Sequence, residues 1–135
     1  MKYSLDADTC IGLLNSASEP VMTRFADCHP TDIVVCSIVR AELLYGARSS
    51  ARVESNLKRL EYFLAPLRSF AFDDQCAHYY GLICGDLSAQ GKPIGANDLL
   101  IAAIARTHDL ILVTHNTREF GRVLGLRIEE WETAS

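Results

Sequence analysis

The sequence lacks most features that would take it outside the ordinary globular class. No apolar run approaches the roughly 20 residues of a membrane-spanning helix, so no membrane span is expected. The opening MKYSLDADTC carries one lysine and then turns acidic, unlike a secretory leader, and a cytoplasmic protein is expected. The five cysteines, Cys10, Cys28, Cys36, Cys76 and Cys84, are odd in number and form no CxxC pair. That argues against a disulfide framework and against a zinc ribbon. Cys28-His29 would be half of a metal site, but no second half lies at a useful spacing; the cysteines are read as small buried hydrophobes. Basic residues are not in excess, and the net charge is −4. A protein that holds nucleic acid by charge alone is normally basic. Nucleic-acid chemistry here therefore needs a local basic patch or a metal that neutralises phosphate. No repeat, low-complexity tract or linker interrupts the chain, and its 135 residues fit one domain, 1–135.

What is present is organised around Gly95 to Asn116, GANDLLIAAIARTHDLILVTHN. The helix expected here has no polar face from Leu99 to Ala105, so burial on most sides follows. Leu110 to Val113 reads as a central parallel strand. Asp98 is placed in the helix's first turn, with Asn97 as its N-cap. The helix dipole favours an acid there, which is reason enough for a lone carboxylate.

Along the chain, Lys2 to Leu5 reads as a strand, followed by an acidic turn and a helix through Leu14 capped by Asp8 or Thr9. Pro20 opens a second helix. Ile33 to Cys36 is the next strand. Ser37 then caps a helix whose Ile38, Ala41 and Tyr45 are expected to face the core, with Glu42 at the edge of that face. Val53, Leu57, Leu60 and Leu64 mark an amphipathic helix ending before Pro66. Ser69 to Phe72 is a weak third strand. Asp73 and Asp74 cap a helix with a Cys76, Tyr80, Ile83 and Leu87 stripe, closed by Gly91. Thr117 to Val123 is a short helix and Leu126 to Trp131 a last strand. Strands alternating with helices predict an α/β fold with a five-stranded parallel sheet and helices on both faces. Right-handed crossovers put all strand C-termini on one edge, where such sheets carry their sites.

Asp6 and Asp8, Glu42, Asp98 and Glu119 all fall at that edge, with Asn116 beside them. Gathered carboxylates repel, and a hard divalent cation with oxygen ligands resolves the repulsion. Such a cation holds a phosphate oxygen and acidifies water, so metal-assisted phosphodiester hydrolysis is expected. Each acid also has a plainer role: Asp6 as a turn former, Asp8 as a cap, Glu42 as a solvated helix residue, Glu119 as a surface partner of Arg118 or Arg122. The chemical reading rests on the set.

The segments LDADT, AELLYGA, GKPIGANDLLIAAIA, VTHNTREF and LRIEEW resemble, in that order and over nearly the whole chain, PIN-domain ribonucleases, specifically the VapC toxins of bacterial toxin–antitoxin pairs. The resemblance implies a PIN-like three-layer fold and a Mg²⁺- or Mn²⁺-dependent endoribonuclease. It assigns the metal site and catalysis to Asp6, Glu42 and Asp98, with a fourth acidic position after the fourth strand. Two departures stand out. Many relatives read LDTN, so Asp8 adds a charge, and many have an aspartate where Asn116 stands. Glu119, three residues on, is the alternative fourth acid. The resemblance further implies a VapB-type antitoxin whose basic side chain reaches the acids, a homodimer, and an RNA substrate. The relatives it most resembles cut the anticodon stem-loop of initiator tRNA. Lys92, Arg118 and Arg122, with Arg40 and Arg48, are candidate phosphate contacts; His115 is read as structural.

Two rival readings remain. DADT after a strand matches the nucleophile motif of haloacid-dehalogenase-like phosphatases, with Asp6 attacking and Asp8 as acid/base. Alternatively, Asn116 marks a PIN fold that has lost activity and only binds its partner.

Overall fold

The computed structural model describes residues 2–132; Met1 and residues 133–135 of the expected domain lie outside the described residues. The elements run β1 (Tyr3–Leu5), α1 (Ala7–Leu14), α2 (Glu19–Asp27), a 3₁₀ turn (Pro30–Asp32), β2 (Ile33–Val34), α3 (Ser37–Arg48), α4 (Val53–Leu64), α5 (Asp74–Gln90), α6 (Ala96–Thr107), β3 (Ile111–Val113), α7 (Thr117–Phe120) and β4 (Arg127–Glu129). The strands form one parallel sheet in the order β2-β1-β3-β4. All three residues of β1 and of β3 are buried. Successive strand side chains point to opposite faces, so both faces of these central strands are covered, as a parallel sheet requires.

The sheet has four strands among the described residues, not five. The segment expected as a third strand pairs through one bridge, Val34 with Arg68. Its backbone still bonds to the sheet edge, from Val35 N–H to Arg68 O at 2.9 Å and from Ser37 N–H to Phe70 O at 3.0 Å. Arg40 stabilises this edge. Its Nε donates to Val35 O at 2.7 Å, and its guanidinium reaches Leu67 O and Arg68 O at 3.3 and 3.2 Å. A side chain spent on three carbonyls is a brace, which removes Arg40 from the candidate RNA contacts. Arg40→Ala is expected to lower stability by about 1.5–3 kcal/mol, the range for hydrogen bonds from a charged donor, read as a shift in the urea midpoint.

Helix α3 turns a different face inward than its pattern predicts. Val39, Leu43 and Ala47 are buried, while Ala41 is exposed and Tyr45 is 75% exposed. Both sets recur at helical spacing, so periodicity could not choose between them. Packing against α1 and α4 chose. Ser37 is the first helical residue rather than the cap, which falls on Cys36 without a side-chain bond. Of the expected stripe on α5, Cys76, Ile83 and Leu87 are buried and Tyr80 only partly so. Gly91 closes α5 in the left-handed region, at φ 66°, where glycine bears no steric cost. Helix α6 is buried from Ile101 to Ala105, as expected of a helix with no polar face.

The last strand is held by aromatic and ionic contacts. The Trp131 ring meets Tyr3 edge to face at 5.2 Å between centroids. Arg24 lies over the same indole, 5.2 Å from it, and pairs with Glu129 at 2.8 Å. All five cysteines are free thiols, three of them buried. No described helix is long and apolar enough to cross a membrane.

Candidate active site

The register of the sheet builds the site. Leu5 pairs with Val113, and Val113 with Glu129, so β1, β3 and β4 end level. Two further bonds extend the ladder past the strands, from Asp6 N–H to Val113 O at 3.2 Å and from Thr114 N–H to Glu129 O at 3.1 Å. Asp6 is thereby fixed at the carboxyl edge, and it is buried at 7% exposure.

Both Asp6 carboxylate oxygens are engaged. Oδ1 accepts from the Thr9 N–H at 2.9 Å and so caps α1, while Oδ2 accepts from the Thr114 hydroxyl at 2.6 Å. The cap is therefore Asp6, not Asp8 or Thr9 as expected. Asp8 sits exposed in the first turn, where its charge favours the helix N-terminus. Thr114 was not singled out from the sequence, because nothing local to it points at a residue 108 positions away. Its oxygen also accepts from the Asn116 N–H at 2.9 Å, joining Asp6 to the turn that carries Asn116 and Glu119.

Helix α6 brings Asp98 in its first turn. Its N-cap is Gly95, so Asn97 is inside the helix and not at its cap. Burial and then the charges of Glu119, Glu42, Asp6 and Asp8 push the Asp98 carboxyl up to about 6. Those four acids come from α7, α3, the end of β1 and α1, so the fold brings them within electrostatic reach of Asp98. Glu42 is raised as well, by burial first; a hydrogen bond from the Asn97 side chain opposes the shift, and Asp6 and Asp8 add to it. Its Oε1 is buried with no hydrogen-bond partner, which costs stability unless something outside the chain satisfies it. Asn116 donates its side-chain N–H to Glu119 Oε2 at 3.1 Å. Of the neighbouring charges, Glu119 raises Asp98 most.

Two raised carboxylates, Asp98 and Glu42, and an orphaned carboxylate oxygen fit a divalent cation. The set is spread out: among the described residues, the group with three ligand atoms within 4.8 Å of one another is His115, Glu130 and Glu132, not the acids of this pocket. Such spacing suits an ion that keeps several of its waters, as Mg²⁺ does.

Lys92 and Arg118 are exposed, and Arg122 bonds to Pro93 O at 3.5 Å. His115 contacts a different acid, with Nδ1 at 2.8 Å from Glu130. Glu42 also lines a mostly apolar groove of about 250 Å³ between α1, α3 and α4, with Ile11, Leu14, Leu43 and Arg59.

A parallel sheet with acids from four elements at its carboxyl edge is the arrangement of a PIN domain, and the PIN-domain family model matches residues 3–125. The chain belongs to the PIN-domain family. Within it, the chain is 37% identical over 131 residues to the tRNA(fMet)-specific endonuclease VapC of Salmonella typhimurium, covering 97% of this chain and 98% of that one. It is 41% identical, over the same shares, to ribonuclease VapC2 of Haemophilus influenzae. Among solved structures it superposes on the DNA-bound VapBC of Salmonella typhimurium with a TM-score of 0.91 at 37% identity, over 97% of this chain and 98% of the other. On the DNA-bound VapBC2 of Rickettsia felis the TM-score is 0.90 at 36% identity, over 97% and 99%. These likenesses place the chain on the VapC branch of the family.

Proposed function

We propose that this chain, acting as a single domain over 1–135, is the toxin of a VapBC-type pair: a cytoplasmic endoribonuclease that needs a divalent cation, Mg²⁺ or Mn²⁺. The observation that carries the reading is the buried Glu42 Oε1, left without a hydrogen-bond partner among carboxylates that also raise Asp98. Asp6, Glu42 and Asp98 would hold the ion, with Glu119 as the fourth acid and Asn116 orienting it. When bound, a divalent cation neutralises the acids, stabilises charge on the scissile phosphate and acidifies the attacking water.

The chain's own residues do the rest. Thr9 and Thr114 fix both oxygens of Asp6, leaving it one orientation. Asn97 restrains Glu42, whose unpartnered oxygen is free to accept a proton or orient water. Lys92, Arg118 and Arg122 would contact RNA phosphates. A relative is named for initiator tRNA, and that RNA is the first substrate to try. The groove lined by Glu42 has mostly apolar walls and one acid, which suits an apolar antitoxin segment carrying one basic side chain. A homodimer follows from the family resemblance and is measured by light scattering.

The phosphatase alternative does not account for acids arriving from α3, α6 and α7. The inactive-binder alternative rested on Asn116, and Glu119 supplies the carboxylate that Asn116 lacks. The test is cleavage of purified initiator tRNA. Mg²⁺ or Mn²⁺ should support cutting and EDTA should stop it; cutting that survives EDTA would end the metal reading.

A further inference from the structure

His115 Nδ1 lies 2.8 Å from Glu130 Oε1 and 3.1 Å from Glu132 Oε2. One ligand atom from each of the three residues falls within 4.8 Å of the others, a convergence found nowhere else among the described residues. The nuclease reading uses none of the three. A single ring nitrogen carries at most one proton, so it satisfies one of these carboxylates at a time while both face it.

We propose that His115, Glu130 and Glu132 form a second cation site, separate from the acidic pocket, with one nitrogen and two oxygen ligands for a first-row transition ion such as Zn²⁺. The scaffold holds them ready. His115 follows β3 and Glu130 follows β4, and these strands are paired through Val113 and Glu129. Trp131, 2% exposed, is anchored between the two glutamates, and its indole N–H donates to Glu129 Oε1 at 3.1 Å. Both glutamates are thus carried on a short segment pinned by a buried ring.

The ligand chemistry selects the ion. Imidazole suits zinc, nickel and copper, whereas Mg²⁺ prefers oxygen ligands alone. Bonds of about 2.0–2.2 Å to zinc require donor atoms somewhat over 3 Å apart. The present contacts need open only slightly, and the side chains are free to do so, His115 being 63% exposed. The same exposure leaves further coordination positions to water.

Zn²⁺ is titrated calorimetrically into the full chain with excess Mg²⁺ present to occupy the acidic pocket. The expected result is one equivalent of Zn²⁺, lost or weakened about tenfold or more in His115→Ala and in Glu132→Gln, and kept in Asp98→Asn. Circular dichroism checks that the variants are folded; both replaced side chains are exposed. No binding by the unmodified chain overturns the proposal. So does binding unchanged in both ligand variants, as free thiols would give, or binding lost only in Asp98→Asn, which places the ion in the acidic pocket.

Discussion

Asp98→Asn yields a folded protein that no longer cuts RNA and that, without metal, is more stable at neutral pH than the unmodified chain. Stabilisation of phosphate charge by a cation is worth several kcal/mol, so removing a central ligand should lower the cleavage rate by about a hundredfold to ten-thousandfold. The stability gain has the opposite origin. The Asp98 carboxyl is raised from 3.8 to about 6 in the fold, so between those values the native state binds more protons than the unfolded chain. Stability therefore falls as pH rises from about 4 through about 6. The full displacement would correspond to about 3 kcal/mol. The carboxyl is only partly buried, and solvent screening reduces this to about 1–2 kcal/mol. Urea denaturation of metal-free protein at pH 4 and pH 7 should show Asp98→Asn level with the parent at the lower pH and ahead at the higher. Adding Mg²⁺ should close the gap, because only the parent gains by binding it. Equal pH dependence in the two proteins would refute the electrostatic account of the pocket.

Asp6 separates structure from chemistry in one residue. Asp6→Ala removes the cap of α1 and leaves the Thr114 hydroxyl, 1% exposed, without its acceptor. A lost cap costs about 1 kcal/mol and a buried orphan about 1–3 kcal/mol, so a loss of about 2–4 kcal/mol is expected. Asp6→Asn still accepts from the Thr9 N–H and keeps a polar group against Thr114, so most of that stability remains. Cleavage should fall to background in both, since an amide carries no charge for the cation. Melting curves beside tRNA cleavage divide the roles. If Asp6→Asn cuts at the parental rate, the charge of Asp6 has no part in the reaction.

The acids at the carboxyl edge of the sheet are legible in the sequence because each stands next to a strong local signal. Asp6 and Asp8 follow an apolar strand, Asp98 opens a helix that is apolar throughout, and the strand–helix alternation predicts a common edge. Asn116 and Glu119 could not be ranked, because the hydrogen bond that subordinates one to the other forms only once the turn is folded. Thr114 gave no sign, since its partner lies across the β1–β3 ladder.

Local pattern alone determined the α/β class, the burial of α6, the amphipathic α4 and the presence of acids at strand and helix ends. These follow from side-chain period and capping chemistry, which act within a few residues. The tertiary structure decided the inward face of α3, the reduction of the third expected strand to one bridge, Asp6 as the cap, and the pairing of His115 with the far end of the chain. Apart from the Asp6 cap, which is a local bond to Thr9, each of these depends on contacts between distant segments, and equivalent local patterns are resolved only when neighbouring elements compete for the same buried space.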